Sequence, residues 1–158
     1  MAPLGLSGDR LMAGFYLAEL VVRLLPRQEA NPALFTAFGD TLAALADLDA
    51  LGWTLRCFER DLLRASGMAP PLDLDAHGDP LHAEATYRIE PEQGLLPQPP
   101  NAVGGVPGSA LLALAAGQAP DPQAQRDLKR VLRVLLAHQL GPRGLRSWDI
   151  LRDLPRSP

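Results

Sequence analysis

The chain has 158 residues, enough for one domain with a sizeable core, and 47% of them are apolar against 21% charged, which excludes disorder throughout. Aromatic residues make up only 5% while Leu and Ala abound, a balance that favours close-packed helices over a sheet rich in Val, Ile and Tyr. The net charge of −3 excludes a uniformly basic surface coated with nucleic acid, and the single cysteine, Cys57, excludes an internal disulfide and a cysteine-built metal site.

The first helix reads from about Leu11 through Ala13-Gly-Phe-Tyr-Leu-Ala-Glu-Leu-Val-Val-Arg-Leu-Leu to Pro26, which stops it. On a wheel of about 100° per residue, Leu11, Phe15, Val21, Val22 and Leu25 lie on one side and Leu17, Leu20 and Leu24 on another. Only a narrow arc with Glu19, Arg23 and the Tyr16 hydroxyl remains for water, so the segment is expected to be the central helix of a core. Glu19 before Arg23 is the favoured order for an i, i+4 pair. A membrane span is excluded, because the apolar run is shorter than the ~20 residues a bilayer needs and carries two charges. No signal peptide is read ahead of this helix, and the expected compartment is the cytoplasm.

A second helix opens at Asn31-Pro32, a cap followed by proline at the first helical position, and Leu34, Phe35, Phe38, Leu42 and Leu45 keep the helical period. A third runs from about Ala50 to Ser66, with Gly67 as a left-handed stop and Leu51, Leu55, Phe58 and Leu62 as its core stripe. If that stripe faces inward, Arg56, Arg60 and Arg64 form an i, i+4, i+8 row on the opposite side. From about 67 to 108 prolines cluster and acids dominate, and the strand-like runs Ala85-Thr-Tyr-Arg-Ile89 and Leu95-Leu96 flank a Pro-Glu-Gln-Gly turn; this is an irregular insertion with a hairpin. Helix returns from Ser109 to Ala116, from Asp121-Pro122 to Leu140, and from Ser147 to a point before Pro155. The expected fold is therefore mainly α: a single domain over 1–158, of about five to six helices, with a small β-hairpin insertion.

Charge divides along the chain. Residues 1–125 hold seven Arg against fifteen acids, a net −8, whereas Arg126 to the end holds eight basic residues against three acids, a net +5. Such asymmetry marks either a basic end that meets an anion or an ordinary solvated helix face. On the long helix, Leu128, Val131, Leu132 and Leu135 make the buried face and put Arg126, Lys129, Arg130 and Arg133 on a flanking stripe, with Arg143, Arg146 and Arg152 close behind. Phosphates are held by such clusters through charge and counterion release. Aromatic interleaving is missing, since only Trp148 stands near, so the stripe is expected to offer at most an auxiliary electrostatic contact to a phosphate backbone such as that of single-stranded DNA, weak by itself.

Five stretches occur in an order that resembles the C-terminal region of the RecO family of recombination-repair proteins: the first helix; Pro32-Ala-Leu-Phe35; Leu55-Arg-Cys-Phe-Glu59 with Leu62-Leu63; Ala110-Leu-Leu-Ala-Leu-Ala115; and Lys129-Arg-Val-Leu-Arg133 running to His138-Gln-Leu-Gly141 and Leu145-Arg-Ser147. The resemblance spans about Ser7 to Leu154. Members of the family begin with an oligonucleotide-binding barrel, and this chain starts where that domain would end, as a fragment or a shortened reading frame. The resemblance implies no enzymatic activity and no cofactor. It implies displacement of the single-strand binding protein SSB, strand annealing, and RecA loading together with RecR, in the cytoplasm at the nucleoid. It also implies that Arg56, at the arginine of the Leu-Arg-x-Phe-Glu motif, grips the acidic, aromatic-ended C-terminal tail of SSB. A guanidinium can take a terminal carboxylate in bidentate fashion, with Phe35, Phe38 and Leu62 lining an apolar pocket for the terminal Phe. The same three side chains also read as plain core. Cys57 stands where many relatives have a second basic residue, and Arg60 is the compensating candidate. The alternative is a helical adaptor that binds acidic protein tails without touching DNA.

Other chemistry fits poorly. No Cys-His motif surrounds Cys57, and His138 has no supporting Asn or Asp. Val103-Gly-Gly-Val-Pro-Gly108 lacks the Lys-Ser/Thr ending of a phosphate-binding loop. His77 and His82 with Asp73, Asp75, Asp79 and Glu84 read as solvent-exposed loop groups, because zinc prefers rigid, closely spaced Cys or His ligands; the family's four-cysteine zinc site lacks its cysteines here. Elemental analysis of protein purified without a histidine tag is expected to find far less than one zinc per chain, and a chelator is expected to leave the thermal midpoint unchanged.

Overall fold

A computed structural model of the chain describes residues 8–25, 31–47, 49–67 and 69–153, with side chains of 150–153 outside the description. Its elements follow in the order α1 (Gly8–Leu24), α2 (Pro32–Ala44), α3 (Leu51–Ser66), β1 (Thr86–Glu90), β2 (Gly94–Gln98), β3 (Val106–Pro107), α4 (Gly108–Ala116), α5 (Pro122–Leu140) and α6 (Arg146–Asp153). The fold is mainly helical with a small β insertion, as composition and periodicity predict. Pro26, Pro155 and the Arg152 side chain lie outside the described residues. Among the described residues no helix is long and apolar enough to cross a membrane.

Local chemistry sets the helix ends. Asn31 Oδ1 accepts from Leu34 N at 3.0 Å and Asp121 Oδ1 from Ala124 N at 2.9 Å, each satisfying a first-turn N–H with proline in the next position. Gly67 closes α3 at φ 66°, a conformation that costs a residue with a Cβ.

The insertion is more ordered than its composition implies. β1 and β2 form the expected hairpin, with Arg88 opposite Leu96, and β3 pairs antiparallel on the other edge of β1, giving the order β2-β1-β3. β3 escapes the sequence reading because two residues carry no periodicity and one is a proline, tolerated at a sheet edge. Tyr87, 2% exposed, plants the sheet on the core, and its hydroxyl accepts from His82 N at 2.9 Å. Gly108 permits this approach, since a Cβ there would lie 2.0 Å from the His82 carbonyl oxygen.

The core is built on α5, whose Leu128, Val131, Leu132 and Leu135 are all buried, as expected. They meet Phe58, Leu62 and Leu63 of α3 and Leu17 and Leu20 of α1 in one cluster. α1 is not the enclosed central helix that its composition predicts. Leu11, Phe15 and Val22 are 45%, 60% and 68% exposed, whereas Tyr16, expected to keep its hydroxyl in water, is 7% exposed. The apolar periphery of α1 is nearly complete, so composition alone does not say which half is covered; the neighbours decide.

Glu19 and Arg23 do not pair as expected but reach across the fold. Glu19 accepts from Arg146 N at 2.6 Å and Ser147 N at 3.0 Å, capping α6 from outside its own chain segment. Arg23 donates to the carbonyls of Gly144 at 2.9 Å and Leu140 at 3.4 Å, the open end of α5 and the loop after it. Burial raises the Glu19 carboxyl, but the Ser147 and Arg146 N–H donors and the Arg23 charge outweigh it and hold the group below the usual carboxylate range. A depressed folded value stabilises above the unfolded value of about 4.3, and that stabilisation disappears as pH falls through the folded one. Glu19→Gln is expected to lower the urea midpoint at neutral pH and to lessen its decline below about pH 5; identical acid limbs for both proteins would dismiss the cap.

Candidate functional site

Four helices that meet around Tyr16 and Glu59 leave a cleft of about 970 Å³. α1 contributes Met12, Ala13 and Tyr16, α3 contributes Leu51, Leu55, Arg56 and Glu59, and Ala137 and Leu145 complete the apolar wall. At its floor, Arg56 Nη2 donates to Glu59 Oε1 at 2.7 Å, and the Tyr16 hydroxyl donates to the same oxygen. Arg56 is 7% exposed and Glu59 2%. The Nε of Arg56 is buried with no hydrogen-bond partner among the described residues. One donor of this buried guanidinium is thus unsatisfied within the fold.

The two acids of this network respond to burial in the same direction. Burial pushes Glu59 above the usual carboxylate range, against the Arg56 charge and the hydrogen bonds from Tyr16 and Arg56, with Lys129 also pulling it down. Burial and the adjacent Glu59 charge push the Tyr16 phenol far above its ordinary value, so it stays a donor. Burial likewise raises the half-buried Cys57 thiol, against the Arg60 charge, which makes it a poor nucleophile.

Around the mouth stand Lys129 and Arg133 from α5 and Arg143 from the loop, facing Asp9 of α1 and Asp149 of α6. The Arg133 guanidinium lies 3.9 Å from the centre of the Trp148 ring. Gly144 closes on that ring as well: a Cβ there would lie 3.4 Å from it. Trp148 is therefore covered on one face by a cation and crowded by the backbone, unlike an open platform for a base.

The chain that carries this cleft has relatives. Residues 6–149 match the family described as recombination protein O, C terminal. The chain belongs to the RecO family. It is 43% identical over 153 residues to the DNA repair protein RecO of Stenotrophomonas maltophilia, covering 94% of this chain and 64% of that protein. It is 40% identical over 156 residues to the DNA repair protein RecO of Xanthomonas euvesicatoria pv. vesicatoria, covering 96% of this chain and 65% of that one. The chain thus spans slightly under two thirds of the length of these RecO relatives.

The structure separates the residues that the RecO resemblance groups around an SSB tail. Arg56 lines the cleft, but it is on the buried face of α3 and not opposite it. A step of four residues advances about 40° around a helix, so the arginine row turns from buried Arg56, through half-buried Arg60, to exposed Arg64. Arg60 is committed elsewhere, donating to the Leu114 carbonyl at 2.6 Å and to Asp61 at 2.8 Å. Leu62 is 0% exposed and belongs to the core, Phe35 is 59% exposed on α2, and the Phe38 ring sits 6.0 Å from that of Phe58. None of Arg60, Phe35, Phe38 and Leu62 lines the Arg56 cleft. The basic stripe of α5 is exposed as read, but it splits into two i, i+4 pairs. Lys129 and Arg133 join Arg143 at the mouth, while Arg126 donates to Gln123 at 2.7 Å and Arg130 pairs with Asp127 at 3.1 Å. Arg146 is exposed at the start of α6, beyond the cleft lining.

Tyr16, Glu59 and Leu145 are cleft residues that sequence reasoning missed. Two signals were available: a lone hydroxyl in an otherwise apolar helix, and a Glu three residues after the motif arginine. Among the described residues no group of three His, Cys, Asp or Glu is arranged to hold a metal ion. Asp75 Oδ1 instead accepts from His77 N at 2.8 Å and Asp79 N at 3.0 Å, a turn-forming role. Arg56→Ala, which strands Glu59 without its counter-ion, is expected to cost about 3 to 5 kcal/mol in chemical denaturation. Exposed Arg64→Ala should stay within about 0.5 kcal/mol; equal effects would mean the α3 burial is wrong.

Proposed function

We propose that this domain serves DNA repair as a non-enzymatic recombination mediator, with the cleft taking the acidic, aromatic-ended tail of SSB and the basic stripe adding a weak contact to single-stranded DNA. Within a longer protein it supports strand annealing and, with RecR, loading of RecA, at the nucleoid in the cytoplasm. The observation that carries this reading is the incompletely bonded, buried Arg56 guanidinium beneath a mouth of Lys129, Arg133 and Arg143, with apolar walls beside it. A carboxylate-ended peptide supplies both complements: an anion for the guanidinium and a ring for Leu51, Leu55 and Leu145. Of the five residues first grouped for the tail, Arg56 is the one the cleft supports.

The second reading, an adaptor for acidic tails that does not touch DNA, is favoured by the covering of Trp148 by Arg133. Base stacking has no open aromatic surface at this site, so DNA affinity rests on charge alone.

The two are separated by titrating a fluorescent SSB-tail peptide and a single-stranded oligonucleotide over a salt series. Reversing Arg126 and Arg130, which lie outside the cleft, is expected to weaken DNA and spare the peptide, lowering the log-log salt slope by about 0.7 per lost phosphate contact. Reversing Lys129 and Arg133 is expected to weaken both. No DNA binding by the wild-type chain even near 10 mM salt, where screening lengths reach about 30 Å, leaves the adaptor; no peptide binding removes the cleft from the account.

A further inference from the structure

The floor of the cleft holds an acid that works against any anion reaching Arg56. Glu59 Oε1 already accepts Arg56 Nη2 at 2.7 Å and the Tyr16 hydroxyl, and the residue is 2% exposed. An incoming carboxylate therefore meets a guanidinium whose charge is balanced, with a second carboxylate alongside. Two acids that share one cation at close range in a buried site raise each other's affinity for a proton.

We propose that Glu59 is the resident counter-ion of Arg56 and takes up a proton from solvent when an acidic peptide occupies the cleft, so that this residue sets how tightly the cleft binds. The inference rests on the reading of the cleft as an acidic-tail site. Neutral Glu59 still receives the Tyr16 hydroxyl bond at Oε1, and Arg56, no longer balanced, turns its full charge to the ligand. Burial already inclines Glu59 toward the neutral form, and Arg56, Tyr16 and Lys129 hold it back.

The cleft that Glu59 lines carries charged and titratable groups from each of its elements. They are Tyr16 and Asp9 on α1, Arg56 on α3, Lys129 and Arg133 on α5, Asp149 on α6 and Arg143 in the loop. Asp9 and Asp149 are exposed, so solvent and salt screen them, whereas Glu59 is buried and bonded to the arginine itself. The sign follows: the bound state holds its proton more tightly than the free state. Affinity therefore rises as pH falls through the window between the two values, by at most about tenfold per pH unit for one proton.

Calorimetric titration of the whole chain with an acidic peptide ending in Phe, in buffers of different ionisation heat, counts the protons taken up. Net uptake is expected with wild type between mildly acidic and mildly alkaline pH. Glu59→Gln keeps an acceptor for Arg56 and Tyr16 but lacks the charge; it is expected to bind more tightly at neutral pH, with a flat pH profile and no uptake. Should that variant fail to fold, the wild-type proton count decides alone, and Tyr16→Phe is expected to move the window to higher pH by removing a donor from the charged form. Peptide binding without proton uptake, or with the same pH slope in wild type and Glu59→Gln, overturns the counter-ion role and leaves the tail site standing. Weaker binding by a folded Glu59→Gln overturns it too, making Glu59 a residue that merely positions Arg56. Absence of peptide binding to wild type at every pH overturns the tail site and this inference together.

Discussion

A buried ion pair between Arg56 and Glu59 is the constraint around which the helices are arranged. Two charges with almost no access to water are tolerated only if each is met by the other and by further donors, because desolvation rivals their attraction. Tyr16 of α1 meets that requirement by donating to Glu59, which ties α1 to α3 at the depth of the core. Replacement of such a pair by apolar residues is often neutral or stabilising, so its presence at the floor of a cleft fits a binding role better than a purely structural one.

From that contact the cleft mouth is assembled by α1. Glu19 caps the N-terminus of α6 and Arg23 takes carbonyls at the end of α5 and in the following loop, so one helix positions both sides of the bend that carries Arg143 and leads into Trp148 of α6. Trp148 then gives Arg133 a surface to lie on. A guanidinium held against a ring loses less freedom on meeting an anion than one swinging in water. The cationic mouth is thus a consequence of packing between distant segments, with the buried network beneath it and the polar cap of α6 beside it.

The insertion plays a different part. Its strands β1 and β2 plant Tyr87 and Leu95 on the core, none of its residues lines the cleft, and α4 follows directly from β3. Acidic side chains of this region, such as Asp75, bond to their own turns. The division of charge along the sequence therefore has a spatial counterpart only in part: the basic end reaches the cleft, and the acidic middle builds a support.

Sequence by itself determined the six helices, the β1-β2 hairpin and several of the helix ends. Asn31-Pro32 and Asp121-Pro122 announce helix starts because a side-chain acceptor and a missing N–H suit the first turn, and Gly67 announces a stop because it accepts positive φ. The face of α5 was legible since its apolar residues are separated cleanly from its cations. The face of α1 was not, because apolar residues nearly encircle it, and the face of α3 was misjudged because a buried Arg and Glu read as solvent-facing until each is seen to be the other's partner. Only the tertiary structure decided those rotations, and with them that Tyr16, Arg56, Lys129 and Trp148, drawn from helices far apart in sequence, share one cleft. Helical periodicity is a local property, whereas the cost of burying a charge depends on what other segments bring to it.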